Sequence, residues 1–287
     1  TIANRKFFDN LMSPREYMDF WIDYTSNLAD TDQKKMTPEL ANKILEENPY
    51  HTAWDKVYFR NFVPMYRTNV SVSGGGEKVS YYLSASYLDQ EGVKYGSGYK
   101  RYTLNSNVDA DVSSWLKVGA NISLSHNDVD DSAMGAATVG SARVLAMPYY
   151  RPKDSNGQDK QLIGIESSDP AIINKYKDNT FYHPKYLADT HPGGTQGQEI
   201  IPTIYAQLEP IKNLVFKTQV GLQHSVYNST DSELPSVIIP RPNIHLTRTQ
   251  SMATRKNFTN TLEYKFSLLN KHYLTALLGQ ESIENSS

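Results

Sequence analysis

The stretch that decides the fold is residues 79–125, which read VSYYLSASYLDQEGVKYGSGYKRYTLNSNVDADVSSWLKVGANISLS. Apolar and polar side chains alternate along it in three successive runs. In the last run the two sides are Leu116, Val118, Ala120, Ile122 and Leu124, against Lys117, Gly119, Asn121, Ser123 and Ser125. Alternation with a period of two residues predicts β-strands with one apolar face and one polar face.

The same alternation outside this stretch predicts about eight strands in all. A short first strand covers residues 67–73, and later runs cover 204–208, 214–222, 258–266 and 271–279. The polar faces carry mostly Ser, Thr, Asn and Gln, as the wet interior of a barrel allows. The runs are also longer than the five or six residues that are usual in soluble sheets. A water-soluble β-sandwich alternates too, so the pattern alone leaves that alternative open.

The links between strands are short and long in turn. The short links are residues 74–78, 112–115, 210–213 and 267–270, and the long ones are 89–98, 129–199 and 228–249. Outer-membrane β-barrels have this asymmetry, with short periplasmic turns and long extracellular loops. With the short links on the periplasmic side, both ends of the chain lie outside, which does not fit a complete barrel of eight strands. The sequence therefore predicts an internal wall segment of a larger barrel.

These strands and links predict four regions. Residues 1–66 form an extracellular loop region with two short helices, 67–128 form barrel strands 1–4, and 129–199 form a long extracellular loop. Residues 200–287 form barrel strands 5–8, with a further extracellular loop at about 228–249. The first helix begins with a capping box at Ser13 and Glu16, and the second begins at Thr37 and ends before Asn48 and Pro49. We interpret their apolar stripes as packing faces; the stripes are Tyr17, Phe20, Trp21, Tyr24 and Leu28, then Leu40, Ile44 and Leu45.

Composition excludes several classes of protein. The 287 residues carry a net charge of −2, contain no cysteine and have a mean hydropathy of −0.56. No apolar stretch is long enough for a membrane-spanning helix, whereas a barrel needs only every second residue to face lipid. The balanced charge gives no reason to expect nucleic-acid binding. The lack of cysteine excludes a disulfide scaffold and a thiolate metal site.

Catalytic and metal-binding patterns are weak. Asp128, Asp130 and Asp131 form a carboxylate cluster, but the spacing does not fit an EF-hand, and we interpret the cluster as solvated loop charge. His183 and His191 are eight residues apart, which is neither helical nor zinc-finger spacing. No Gly-x-Ser-x-Gly elbow is present. We therefore expect no enzyme activity, no cofactor and no metal.

Binding is the more plausible role for the long loop. It contains six candidates for contact with substrate or partner: Tyr149, Tyr150, Arg151, Tyr176, Tyr182 and Tyr186. Flat rings beside hydrogen-bonding groups suit sugars, which have apolar faces and polar edges, and they suit peptides as well. The competing interpretation is that these aromatic residues stabilise the loop or its contact with a protein partner.

Several strings in the chain are specific enough to indicate a family. They are NPYHTAWD at 48–55, NVSVSGG at 69–75, YLDQEG at 87–92, WLKVG at 115–119 and LLGQE at 277–281. They resemble the barrel region of the SusC/RagA-type TonB-dependent transporters of Bacteroidetes outer membranes. The plug domain and the energy-coupling box of that family have no counterpart among these residues.

The resemblance implies an all-β fold that forms part of a large antiparallel transmembrane β-barrel. About eight strands of a roughly 22-stranded barrel are then present, with long extracellular loops and short helices in the first loop. It also implies a location in the outer membrane, in contact with lipid or lipopolysaccharide. The expected partners are a SusD-like lipoprotein and TonB, which engages a region not in this chain. The expected cargo is oligosaccharide; a peptide importer, a passive porin and a secreted carbohydrate-binding sandwich are the alternatives.

Overall fold

One large antiparallel sheet dominates the computed structural model, which describes residues 11–32, 34–131, 147–236, 244–268 and 271–287. Eight strands pair in chain order, each with the next one along the sheet. They are β1 (Met65–Gly75), β2 (Val79–Glu91), β3 (Ser97–Ser113), β4 (Leu116–Asp131), β7 (Gly193–Ile211), β8 (Leu214–Glu233), β9 (His245–Leu268) and β10 (His272–Ser286). The pair β5 (Leu162–Ile163) and β6 (Phe181–Tyr182) forms a separate small sheet.

Five helices lie outside the large sheet in the described part of the chain. They are α1 (Pro14–Tyr24), α2 (Pro38–Glu47), α3 (Trp54–Tyr58), α4 (Pro170–Tyr176) and α5 (Pro184–Thr190). The first two begin with the caps that the sequence predicts, at Ser13 and Thr37. The third was not predicted. Among the described residues, no helix has the length and apolar character needed to cross a bilayer.

The tight turns lie together at one edge of the sheet, which we call the short-turn edge. At the β1–β2 turn the backbone N–H of Gly76 donates to the carbonyl of Val79 at 2.7 Å. At the β7–β8 turn Asn213 has a φ of 68°, in the left-handed region that Asn tolerates better than most residues. Residues 269–270 of the predicted β9–β10 turn lie outside the described residues. We call the opposite edge the long-link edge.

The strands extend further toward the long-link edge than the alternation indicates. Only residues 92–96 separate β2 from β3, and β7 begins at Gly193, although the predicted links cover 89–98 and 129–199. The extra residues are mostly polar: residues 228–233 are polar on both faces, and residues 128–131 contain one apolar side chain, Val129. Backbone pairing continues there without a regular apolar face, so the period of two residues that marks a strand in the sequence disappears before the strand ends.

The apolar residues form an oblique band on one face of the sheet. One hydrogen-bonded row is apolar on its first five strands and polar on its last three. The apolar residues are Val70, Ala85, Leu104, Leu124 and Ile200, and the polar ones are His224, Thr254 and Ser286. A row nearer the short-turn edge consists of Leu116, Leu208, Phe216, Leu262 and Leu278. From β1 to β10 the band moves toward the short-turn edge by about eight residues, or about one residue per strand. Such a shift corresponds to strands that tilt within the range of ~35–45° relative to the axis that is found in β-barrels.

The two faces of the sheet differ in exposure. Val70 and Ile204 on the apolar face are 67% and 62% exposed, whereas Ser84 and Ser225 on the polar face are 7% and 6% exposed. The face that a water-soluble protein would bury is therefore the one that is open to the surroundings. This arrangement agrees with a strand set whose apolar face contacts lipid.

The described parts of residues 11–64 and 147–192 fold together into one body at the long-link edge, which we call the loop module. Its helices and the small β5–β6 sheet enclose a core of large apolar side chains. That core consists of Met18, Met36, Ala41, Ile44, Trp54, Tyr58, Tyr149, Tyr150, Ile163, Ile172, Phe181 and Ala188. Residues 132–146 and 237–243 of the predicted long loops lie outside the described residues.

The apolar stripe predicted on α1 packs only in part. Met18 is completely buried, and Tyr17 and Trp21 pack against the core. Phe20 and Tyr24 are 47% and 70% exposed, with ring centroids 5.8 Å apart in a stacked arrangement. The prediction that these two residues pack inward was wrong, because the helix lies at the surface of the module and buries the side that carries Met18.

Candidate functional site

The polar face of the sheet is a wall of small hydrogen-bonding side chains. In one row Asn105 Nδ2 donates to Ser84 Oγ at 3.4 Å, and Ser123 Oγ donates to Asn105 Oδ1 at 2.8 Å. These groups come from three neighbouring strands and lie side by side because the register places them in one row. A surface of hydroxyls and amides offers both donors and acceptors to water or to a polar solute.

A second group on the wall surrounds Gly119. The ring of Tyr205 from β7 lies over this glycine, and its hydroxyl donates to Asp109 of β3. A side chain at position 119 would collide with both of those residues, so the arrangement requires glycine there. Lys217 Nζ lies 4.6 Å from the centroid of the Tyr205 ring, within cation–π range. The sequence analysis missed this group; the signal was a glycine opposite a tyrosine on the polar side of two neighbouring strands.

Glu199 supplies a negative charge on the same face. Its Oε1 accepts a hydrogen bond from Gln223 Nε2 at 2.7 Å and another from Ser225 Oγ at 3.1 Å. The carboxylate is therefore held by neutral donors from the adjacent strand β8. The hydrogen bonds to Glu199 therefore hold a charged side chain against the wall, as the group around Tyr205 does.

Tyr149 and Tyr150, two of the six predicted contact residues, lie inside the loop module. They are 4% and 1% exposed, and burial raises the pKa of both hydroxyls. Tyr150 donates its hydroxyl hydrogen to the carbonyl of Asn179 at 2.8 Å. Both rings pack in the core of the module, so contact with a substrate or a partner stays a prediction for them.

Arg151 is partly buried and forms an ion pair with Glu166, at 3.0 Å between Nη2 and Oε2. Its guanidinium carbon lies 5.3 Å from the centroid of the Tyr50 ring, which adds a cation–π contact. Partial burial opposes ionisation of Glu166, but Lys160 and Arg151 outweigh that effect and lower its pKa. Arg151 thus joins two segments of the module.

The remaining three candidates lie nearer the surface of the module. Burial raises the pKa of Tyr176 to about 12, and its ring packs against the core. Tyr182 and Tyr186 are partly exposed, with ring centroids 6.2 Å apart. The hydroxyls of Tyr186 and Ser236 are hydrogen-bonded to each other. Of the six candidates, Tyr182 and Tyr186 form the partly exposed pair of rings that lie close together.

The acidic and histidine residues that the sequence singled out lie in a strand and at the ends of a helix. Asp128, Asp130 and Asp131 lie within strand β4 rather than in a loop, and alternation sends Asp131 to the opposite face from the other two. His183 and His191 cap opposite ends of helix α5, and His183 Nδ1 accepts a hydrogen bond from Lys185 N. Among the described residues, no group of three or more His, Cys, Asp or Glu side chains converges as a metal site.

Known proteins with similar sequences have consistent names. No protein-family profile matches the chain. TonB-dependent receptor P3 of Formosa agariphila is 25% identical over 259 residues, which cover 88% of this chain and 24% of that protein. TonB-dependent receptor P26 of the same organism is 24% identical over 219 residues, which cover 75% of this chain and 21% of that protein. The chain thus spans about a quarter of the length of these curated relatives.

Solved structures agree with the sequence similarity. A chain of the RagAB peptide transporter matches with a TM-score of 0.78 and 27% identity, over 99% of this chain and 33% of its own length. The closed-closed and open-open states of the RagAB peptide importer give TM-scores of 0.77 and 0.76. This part of the fold is therefore matched about equally well in both states.

These similarities agree with the architecture of the chain. The sheet has short turns at one edge, a folded module at the other and an apolar band on its exposed face. The relatives are named as TonB-dependent receptors, and the solved structure is named as a peptide transporter. In sequence and in fold the chain is therefore similar to a segment of the β-barrel of the SusC/RagA type of TonB-dependent transporters.

Proposed function

We propose that this chain forms part of the wall of an outer-membrane importer of glycan-derived oligosaccharides, which acts with a SusD-like surface lipoprotein and is energised through TonB. The observation that carries the proposal is the polar face of the sheet. It lines the lumen, while the apolar band on the other face contacts lipid.

The chemistry of the wall suits a neutral, hydroxyl-rich solute. Hydroxyls and amides, such as those of Ser84, Asn105 and Ser123, can exchange hydrogen bonds with sugar hydroxyls as readily as with water. Two charges on this face are engaged by neighbours: Glu199 is held by neutral donors, and Lys217 lies over a tyrosine ring. Such a surface lets a sugar pass without binding it tightly.

The loop module supports the orientation that we propose, with the long-link edge outside the cell. It is too large for a periplasmic turn, which is short in outer-membrane barrels. We assign the partly exposed rings of Tyr182 and Tyr186 to contact with the substrate or the lipoprotein. Tyr149, Tyr150, Arg151 and Tyr176 support that surface from within. TonB acts through a region outside these residues.

A peptide importer is the second candidate function. The observation that favours it is the match to RagAB chains, which are described as a peptide transporter. A passive porin has less support, because the curated relatives are named TonB-dependent receptors.

Growth of a deletion strain distinguishes these functions. Removal of the gene from its native host should abolish growth on at least one glycan as sole carbon source, and the full-length gene should restore it. Growth on peptides should be unchanged. Unimpaired growth on every glycan together with a defect on peptides would favour the second candidate. Uptake by the complemented strain should stop when a protonophore collapses the proton gradient, whereas a porin would continue to conduct.

A further inference from the structure

One row of the polar wall differs from the neutral row that contains Ser84 and Asn105. It crosses six neighbouring strands, from β1 to β8, and lies nearer to the long-link edge than to the short-turn edge. Backbone pairing places its six residues side by side, and alternation puts all six on the polar face. They are Arg67, Leu88, Arg101, Asn127, Gly197 and Tyr227, and we call them the arginine row.

The two arginines of this row are available to an anion. Arg67 and Arg101 lie on either side of Leu88, and both are exposed. Among the residues that the structure describes, neither guanidinium group has an ion pair or a hydrogen bond. Their backbones are two strand spacings apart, or about 10 Å, so both side chains can reach one group placed between them. Guanidinium groups bind carboxylates and tetrahedral oxyanions through paired N–H donors.

The carboxylates of the neighbouring wall do not compensate this charge. From β1 to β8, the rows directly above and below the arginine row on the polar face contain one carboxylate, Glu199. It is already held by Gln223 and Ser225, and it lies two strands away from Arg101. This part of the wall therefore carries an excess of positive charge, which attracts anionic solutes.

The rest of the row offers groups that suit a sugar ring. A Cβ atom at Gly197 would lie 2.5 Å from Asn127 Oδ1 and 2.9 Å from the ring of Tyr227. Glycine thus allows the amide and the ring to lie close to the backbone, on the same row as the arginines. Tyr227 is 41% exposed, so its ring can contact the apolar face of a sugar while the amide exchanges hydrogen bonds with hydroxyls.

We propose that the arginine row binds an oligosaccharide that carries an anionic group, either a sulfate ester or the carboxylate of a uronic acid. The anionic group binds between Arg67 and Arg101, and the adjoining sugars lie over Asn127 and Tyr227. The row is five strand spacings long, or about 24 Å, which accommodates a short oligosaccharide. This inference rests on the proposed function, because it names the class of oligosaccharide that the importer carries.

Two variants in the row and one matched control test the proposal. Arg101→Gln and the double variant Arg67→Gln/Arg101→Gln remove the cations and keep polar side chains. Lys100→Gln removes the same charge from the adjacent residue of β3, on the opposite face, where the register places it beside Asp89 and Asp128. The full-length transporter is purified in mild detergent, and heat-modifiable migration in gels shows that each barrel is folded.

Isothermal titration calorimetry measures the binding of two matched pairs of probes. One pair is a sulfated galactan tetrasaccharide and its desulfated form, and the other is tetragalacturonate and its methyl ester, so the pairs distinguish sulfate from carboxylate. We expect one anionic probe to bind at least tenfold more tightly than its neutral form. Its dissociation constant should rise about tenfold in Arg101→Gln and further in the double variant, and it should keep the wild-type value in Lys100→Gln.

Four results would overturn the inference. They are no binding of either anionic probe, equal binding of the anionic and neutral forms, wild-type affinity in the double variant, and an equal loss in Lys100→Gln, which would indicate a general effect of net charge. Any of them combined with normal growth on a glycan would leave the proposed import function intact. Binding of an acidic peptide without binding of any glycan would reject the glycan cargo as well.

Discussion

The sheet and the loop module place their apolar residues in opposite environments. In the described part of the chain, every buried hydrophobic side chain belongs to the module, including Ile44, Trp54 and Tyr150. The strands of the large sheet expose theirs, with Val70 at 67% and Ile204 at 62%. One chain thus contains a module that buries its apolar side chains, as water-soluble domains do, and a sheet whose exposed apolar face suits contact with lipid.

The difference shows what stabilises each region. The module gains free energy by removing apolar area from water, as a soluble domain does. The sheet gains it by pairing its backbone polar groups, which have no other partner within a bilayer. The two regions should therefore respond to different substitutions, and each prediction below tests that separation.

The largest effect is expected for Trp54→Ala in the loop module. Trp54 is 2% exposed, packs at 5.2 Å against the ring of Phe181, and donates its Nε1–H to the carbonyl of Met147. Its loss should destabilise the module by about 3–5 kcal/mol. Hydrogen exchange of the full-length protein should show faster exchange throughout the module and unchanged exchange in β7 and β8. Phe62→Ala, at a site 79% exposed, is the control and should have little effect. Simultaneous loss of the barrel would contradict the separation.

The next effect is expected for Val220→Arg in the apolar band. Val220 is 55% exposed and lies between Ile204 and Phe258 in its row. A charge at this lipid-facing depth should reduce the free energy of folding into vesicles by about 2–4 kcal/mol. Gln219→Arg changes the adjacent residue on the polar wall and should cost less than about 1 kcal/mol. Equal costs at the two positions would show that the faces are not lipid and lumen.

A smaller effect is expected for Asn48→Ala, at the join between the two segments of the module. Asn48 is 1% exposed; its Nδ2 donates to the carbonyls of Ile44 and Glu166 at 2.9 and 2.7 Å, and its Oδ1 accepts from Glu166 N. Removal should cost about 1–3 kcal/mol, because buried backbone groups lose their partners. Protease cleavage within residues 160–170 should become faster. Asn42→Ala removes only an exposed contact with Arg15 and should leave the rate unchanged. Equal cleavage rates in the two variants would contradict the role of Asn48.

The smallest effect is a pH dependence at Glu166. Its pKa is lowered in the folded protein, so its ion pairs stabilise the module above the unfolded pKa of about 4.3, and this contribution is lost as the pH falls through the folded pKa. Because the side chain is 31% exposed, the contribution should be about 1 kcal/mol or less. The difference in melting temperature between the wild type and Glu166→Gln should shrink as the pH falls below about 4. A difference that stays constant at low pH would exclude the ion pairs as its cause.

The sequence predicted the sheet better than the module, for a physical reason. The alternation from Leu116 to Leu124 identifies a strand because one face meets lipid. The turn at Asn213 could be predicted because it depends on neighbouring residues in the sequence. Strand ends such as Asp131 were missed because both faces are polar there. The core of the module depends on long-range contacts, for example Thr52 Oγ1 donating to the carbonyl of Tyr150, 98 residues away. Local sequence patterns do not predict such long-range pairs. Tyr149 and Tyr150 could therefore be identified as aromatic loop residues but not as buried ones.

The most direct test of the central claim is a nitroxide scan along β8. The 287 residues contain no cysteine, so each introduced cysteine labels a unique position within this segment. In the full-length transporter in vesicles, accessibility to oxygen should peak at the even positions from Phe216 to Leu222, and accessibility to a polar nickel reagent should peak at the odd positions. Oxygen peaks at Lys217 and Gln219, or no alternation at all, would contradict the claim that the apolar face contacts lipid.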